Sequence, residues 1–260
     1  HAVREGSRVQ QFLGKAALLP LRGSLHGLPT SSPYLQGFSA RYFELVLQDK
    51  KRWADWMAGV YGTRVSIRSV QAVSPELRAR AVATDEFSDS VVVPYRRYLP
   101  RAYTVRGVKV LPRAQVLPYL RSDFRPGQEV VVEEEVAGRQ WEQAVAGPAR
   151  DVEHLRRLGD SVEVVATLDA PGMLVLNESY YAGIVASEEG RPLPVFPANH
   201  AVRAVPLPAG RHVVRFEYHT PGLRAGALVS AGTALLLVLG GVLQARRRRG
   251  RLGLGAGRPA

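Results

Sequence analysis

The residues best equipped for chemistry in this 260-residue chain are its carboxylates, histidines and hydroxyl-bearing side chains, and their spacing decides what they could do. Glu133, Glu134 and Glu135 form a carboxylate run. Along a strand, successive side chains point to opposite faces, so only Glu133 and Glu135 would share one. With no histidine or metal-ligand spacing beside them, they read as a solvated strand end and not as a paired acid and base. The six histidines, His1, His26, His154, His200, His212 and His219, never recur at the spacing by which a helix offers two imidazoles to one metal. Ser179 sits in ESYYAG, without the flanking glycines of a nucleophile elbow. Gly253, Gly255 and Gly257 follow a basic run instead of a strand, so they read as a flexible tail and not as a phosphate loop. No catalytic residue and no metal site is expected. What remains is a group suited to a saccharide: Asn177, Tyr180, Tyr181, Asn199 and His200. Aromatic faces stack on the C–H patches of sugar rings while amides bond to hydroxyls. The same residues also have a structural reading, in which Tyr180 and Tyr181 alternate between core and solvent and Asn199 and His200 make a turn.

The elements that would position this group are mainly β. SARYFELVLQDKKRWADWMAGVY, residues 39–61, has apolar residues near helical spacing, with Ser39 as N-cap and Gly62 as stop, and predicts an amphipathic helix. After it, TRVSIRSV, VVVPYRRYL, RAYTVRGVKVL and EVVVEEEVAG alternate as half-buried strands do, with LPRAQVLPYLRS as a short intervening helix. AGPARDVEHLRRLGD reads as a polar connection. From Ser161 the strand signals resume in VEVVATL, GMLVLNES, YAGIVAS, LPVFPA, HAVRAVPL and RHVVRFEY, with turns at Ala170-Pro171-Gly172, Glu189-Gly190-Arg191 and Pro208-Ala209-Gly210. Strands this close in sequence predict an antiparallel β-sandwich-like region. The expected organisation is an irregular and helical segment 1–62, a first β-rich region 63–150, an antiparallel β-domain 151–221, one transmembrane helix 222–245 and a basic tail 246–260.

The membrane helix follows from composition. Residues 225–245 carry no charge, and at 1.5 Å per residue they span about 30 Å, the thickness of a bilayer's hydrocarbon core. Arg246, Arg247, Arg248 and Arg249 follow at once and anchor the topology, placing the C-terminus in the cytoplasm and the β-region outside. The net charge of +12 would raise nucleic acid as a partner, but six of the arginines lie in this tail, so the lipid bilayer is the expected partner and nucleic acid is not. The absence of cysteine excludes disulfides and thiolate chemistry. An outward β-region requires a signal peptide or earlier spans, and FLGKAALLPL, residues 12–21, is too short to be either. Membrane-inserting segments upstream of His1 are therefore expected.

The stretch LNESYYAGIVASEEGRPLPVFPANHAVRAVPLPAGRHVVRFEYHTPG resembles the C-terminal part of bacterial YfhO-like membrane proteins. In that family a Tyr-Tyr strand, a glycine hairpin, an Asn, an Arg-Ala-Val strand and a Pro-Ala-Gly turn come in this order before the last membrane helix. Tyr180, Tyr181, Gly183, Gly190, Asn199, Arg203, Ala204, Val205, Pro208, Ala209 and Gly210 match. PRAYTVRGVKVLP and GFSARYFELV are similar to upstream segments of the family. Ala182, Ile184 and Glu189 depart from it, standing where relatives have Pro, Trp and Asp.

The resemblance implies a polytopic protein of the bacterial cytoplasmic (inner) membrane, similar to glycosyltransferases of the C-type fold. It implies a lipid-phosphate-linked sugar donor, a cell-envelope polysaccharide or glycolipid acceptor, and catalytic carboxylates among N-terminal membrane helices that this segment does not include. The chain is then expected to be an extracytoplasmic accessory β-domain plus last membrane span, with no cofactor of its own. The alternative is a stand-alone, C-terminally anchored surface binding or structural protein without catalysis, although no L-P-x-T-G sorting signal precedes its apolar helix.

Overall fold

The computed structural model describes residues 8–11, 41, 44, 60–85, 89–95, 98–137, 139–142, 147–158 and 161–253. They fall into two units, His1–Tyr218 and His219–Ala260. The first is mainly β. It begins with β1 (Arg8–Gln11) and β2 (Thr63–Ser69), then a short helix α1 (Pro75–Arg78) and the strands β3 (Ala83–Asp85) and β4 (Ser90–Pro94). The Ser74 hydroxyl accepts from Leu77 N–H at 3.3 Å and Pro75 takes the first helical position, so SPEL encodes the start of α1. These strands form a sheet in the order β1-β2-β4-β3, with β1 parallel to β2 and the other pairs antiparallel.

The middle of the chain contributes β5 (Ala102–Val105), β6 (Gly107–Leu111), α2 (Arg113–Ser122), β7 (Glu129–Glu133), α3 (Glu134–Ala137), β8 (Arg150–Asp151) and β9 (His154–Leu158). There follow β10 (Ser161–Leu168), β11 (Gly172–Ser179), β12 (Ile184–Glu188), β13 (Arg191–Leu193), β14 (Phe196–Ala198), β15 (Val202–Leu207) and β16 (Gly210–Tyr218). A seven-stranded sheet has the order β6-β7-β14-β15-β11-β5-β8, and a five-stranded sheet the order β13-β12-β16-β10-β9. All pairs are antiparallel except β6 and β7, which α2 connects in parallel. β12 and β13 turn through Glu189 and Gly190, both at positive φ (47° and 78°), the geometry that matches strand twist in a two-residue hairpin.

The seven-stranded sheet is covered on both faces, which explains its runs of continuous burial. Met173, Val175, Val202 and Ala204 join Val116, Leu117 and Leu120 of α2 in one hydrophobic cluster. Their neighbours of opposite parity, Leu174, Leu176, Val205 and Leu207, join Val162, Val164, Val214 and Phe216 of the five-stranded sheet in a second. Each fully buried Leu or Val contributes roughly 1.5–3 kcal/mol, so these two layers account for much of the driving force.

Several sequence expectations change. RAYTVRGVKVL is two strands that break at Arg106 and occupy separate places in the sheet. The strand EVVVEEEVAG ends at Glu133, and Glu134 and Glu135 open α3. The supposed polar connection after Gly147 contains β8 and β9. The boundary expected at 150/151 cuts through one sheet, because β5, β6 and β7 lie beside β11, β14 and β15. The amphipathic helix 39–61 lies largely outside the described residues; Arg41, Glu44 and Val60 are helical.

The second unit carries the apolar helix α4 (Leu223–Gly253). Its segment Leu223–Gln244 is long and apolar enough to cross a membrane. The helix does not end at the basic run: it continues through Arg246–Arg249 to Gly253, the first of the three glycines read as a flexible tail.

Candidate functional site

The five residues singled out for a saccharide separate into a buried set and an exposed one. Asn177 and Asn199 are fully buried and His200 nearly so, whereas Tyr180 is half-buried and Tyr181 is 41% exposed. Asn177 ends the buried part of β11. Its Nδ2 donates to the Pro100 carbonyl at 2.7 Å and its backbone N–H to the Arg101 carbonyl at 2.8 Å, while Oδ1 has no hydrogen-bond partner.

Asn199 and His200 form the turn between β14 and β15, with φ of 44° and 68°. Asn tolerates this left-handed backbone because its short amide bonds locally, and here it does so across the sheet. Val131 N–H donates to Asn199 Oδ1 at 3.0 Å, Asn199 N–H donates to the Val131 carbonyl at 2.7 Å, and Asn199 Nδ2 donates to Tyr103 Oη at 3.3 Å. Tyr61 Oη donates to the Asn199 carbonyl at 2.6 Å. Burial pushes the Tyr103 phenol well above its ordinary pKa, so it stays a neutral partner. The Asn199 side chain thus joins β7 to β14 and is spoken for on both its oxygen and its nitrogen.

His200 belongs to a charged cluster. Glu133 is buried, contrary to the solvated strand end read from EEE, because Arg41 reaches it with two nitrogens, Nη2 to Oε2 at 2.8 Å. Arg41 Nη1 also donates to the His200 carbonyl at 3.3 Å, and its guanidinium lies 5.4 Å from the centre of the Tyr180 ring. Burial acts to lower the Arg41 pKa, but the hydrogen bond and charge of Glu133 outweigh it and hold it above the ordinary value. Glu44 Oε2 is 2.9 Å from His200 Nε2, a distance without hydrogen-bond alignment, and His200 Nδ1 has no hydrogen-bond partner. Burial depresses the His200 pKa below 6.5, with Glu44 opposing and Arg41 reinforcing the shift. Glu135 does not join Glu133; its carboxylate accepts from the Arg113 N–H at the start of α2, at 3.0 and 3.1 Å.

Tyr181 takes the other side of the sheet. Its ring meets Tyr218 edge to face, centroids 5.1 Å apart. It is also among the groups that act on Arg203. A second cluster lies there, which the sequence reading missed. Glu178, on β11, accepts from Arg101, Arg203 and Arg157, the last at 2.8 Å. Arg203 is buried with its guanidinium 5.5 Å from the centre of the Phe216 ring, and burial lowers its pKa against the opposing pull of Glu178 and Tyr181. The Nε atoms of Arg101 and Arg203 are buried without a hydrogen-bond partner. One signal for this cluster was in the sequence: Arg203 has the parity of Val205 and Leu207, and Glu178 that of Leu174 and Leu176, so alternation aims both at the second hydrophobic layer.

Neither of two surface depressions, one lined by Thr104, Arg106, Arg150 and Asp169 and one by Ser66, Arg68, Arg80 and Tyr95, includes any of the five residues. Among the described residues no three His, Asp or Glu side chains are grouped to hold a metal. No protein-family model matches the chain, and neither curated proteins nor solved structures match it.

Proposed function

We propose that this chain is an extracytoplasmic β-sandwich module tethered to a bacterial inner membrane by its C-terminal helix, and that it serves a membrane protein as a non-catalytic accessory domain. The observation that carries the reading is the helix Leu223–Gly253, whose apolar segment Leu223–Gln244 is separated from the last strand by four residues and runs without interruption into Arg246–Arg249. An uninterrupted helix satisfies its backbone inside hydrocarbon, and arginines at one end favour the cytoplasmic side. The hydrophobic layer shared by the five-stranded antiparallel sheet and the largely antiparallel seven-stranded sheet supports the sandwich. Resemblance to YfhO-like proteins supports the larger assignment, to the accessory end of an envelope glycosyltransferase that takes its sugar from a lipid-phosphate donor. The exposed Tyr181 is the member of the saccharide group that could still meet an acceptor sugar.

The chain has no cysteine, so single-cysteine variants report topology cleanly. Ala209→Cys, in the exposed turn before β16, is expected to react with a membrane-impermeant maleimide on intact spheroplasts. Ala256→Cys, beyond the helix, should react only after permeabilisation. The reverse pattern overturns the orientation, and labelling of both cysteines in a soluble fraction overturns the tether. For the enzymatic half, deletion of the whole gene should remove a cell-envelope glycan; unchanged envelope glycosylation rejects it. Reading frames upstream of His1 that encode a signal peptide alone would favour the stand-alone anchored protein.

A further inference from the structure

Three guanidinium groups converge on the Glu178 carboxylate, and the cluster leaves a surplus of positive charge among the described residues. Such a surplus is costly where Arg203 sits, buried between two sheets, because desolvated charge is stable only when fully compensated. Arg101 and Arg203 each keep a buried Nε–H without an acceptor. Arg157, on the edge strand β9, brings the cluster to the surface, with 58% of its side chain exposed. Tyr181 and Tyr218, 41% and 40% exposed, pair beside it. Tyr218 is the last residue of β16, and residues 219–222 link it to the apolar helix; a chain reaches at most about 3.6 Å per residue. The cluster therefore occupies the end of the β-unit from which the chain continues into the apolar helix. Tyrosines concentrate at headgroup depth, and planar guanidinium forks match phosphate oxygens.

We propose that Arg101, Arg157 and Arg203, flanked by Tyr181 and Tyr218, form a phosphate-binding site, and that its ligand is the headgroup phosphate of an anionic phospholipid in the membrane that holds the helix. The site rests on the tethered reading above. Arg157 makes the outer contact, Glu178 holds the three forks in place, and the bound phosphate supplies the missing negative charge.

The test is native mass spectrometry of the full chain in detergent, titrated separately with phosphatidylglycerol, phosphatidylcholine and inorganic phosphate. Phosphatidylglycerol should be retained in preference to phosphatidylcholine. The arginines of the tail give a background that is common to all variants. Above it, Arg157→Gln should weaken retention about five-fold. Arg211→Gln, equally exposed at 60% but at the other end of β16 and paired with Glu153, should leave it unchanged. Arg203→Gln should abolish retention, read only if its thermal melt stays cooperative; Arg157, exposed on an edge strand, carries the test otherwise. Equal losses in the Arg157 and Arg211 variants, or no headgroup preference, overturn the site. Inorganic phosphate that displaces the lipid in an Arg157-dependent way assigns the site to soluble phosphate and overturns the lipid source. Alkaline carbonate extraction of the same variants separates the two readings: chain left in the membrane pellet without headgroup preference rejects this site alone, and chain in the supernatant rejects the tether.

Discussion

At the scale of single residues, burial reverses what spacing predicts for Glu133. It reads as one of three solvated carboxylates, yet it is the buried partner of Arg41, which lies 92 residues away. Removing one member of a buried pair strands the other, so Glu133→Gln is expected to cost about 3 kcal/mol by chemical denaturation. Glu135→Gln, which keeps an acceptor for the Arg113 N–H, should cost only about 0.5 kcal/mol. Asn199→Ala leaves the Val131 N–H without its side-chain acceptor and puts Ala at positive φ, an expected loss of about 3 kcal/mol that a pure ligand residue would not show. His200 gives stability a pH dependence. Its native pKa lies below 6.5, so above that value both states are neutral and its contribution is complete. As pH falls through roughly 6.5 toward the native value, the unfolded chain takes the proton first and stability is lost. His200→Asn, which suits the turn backbone, should flatten this part of a Tm-versus-pH curve. Tyr181→Ala should fold normally, since it loses only an exposed ring contact of about 1 kcal/mol. It is therefore the clean variant for saccharide binding, and unchanged binding would end that idea. The candidate residues were legible by type, and the turn at Asn199 and His200 by its composition. Their ion pairs were not legible, because partners brought together by a sheet leave no mark in local spacing.

At the scale of elements, β10 and β16 could be read from alternation, β11 and β15 from apolar runs bounded by turn residues, and LPVFPA read as one strand where the structure has β13 and β14. β5, β6 and β7 were read as strands, but the break at Arg106 and the end at Glu133 were not, because strands covered on both faces lose the alternation that would mark where they stop. Close packing explains why Gly172 opens β11. A Cβ there would lie 2.6 Å from the Val105 carbonyl oxygen of the neighbouring strand. Gly172→Ala should therefore force the β5–β11 pair apart, costing about 2 kcal/mol. Gly190→Ala, in the open hairpin where nothing lies within 4 Å, should cost only the roughly 1 kcal/mol of left-handed backbone. Thermal melts of the two variants check this ordering. β8 and β9 stayed hidden because they are short, exposed and charged, and they pair only through β5 and β10.

At the scale of the molecule, the long apolar helix was the most legible feature, since the length that would cross a bilayer is one that composition alone can meet. The division into two β-regions was not legible, because β5 and β7 pair with strands whose partner residues come 66 to 74 positions later, as Val132 with Ala198 and Ala102 with Leu176, and nothing local announces that partnership. The tethered reading proposed above makes a direct prediction: Leu236→Arg, in the middle of the apolar segment, should cost about 3 kcal/mol of insertion and move chain from the carbonate-resistant pellet to the supernatant. The place of β16 has a mechanical consequence. It is the central strand of its sheet, paired with β10 along eight residues and with β12 along five. Tension applied at Tyr218 along that strand loads both ladders at once, so the bonds must fail together in shear instead of peeling away singly.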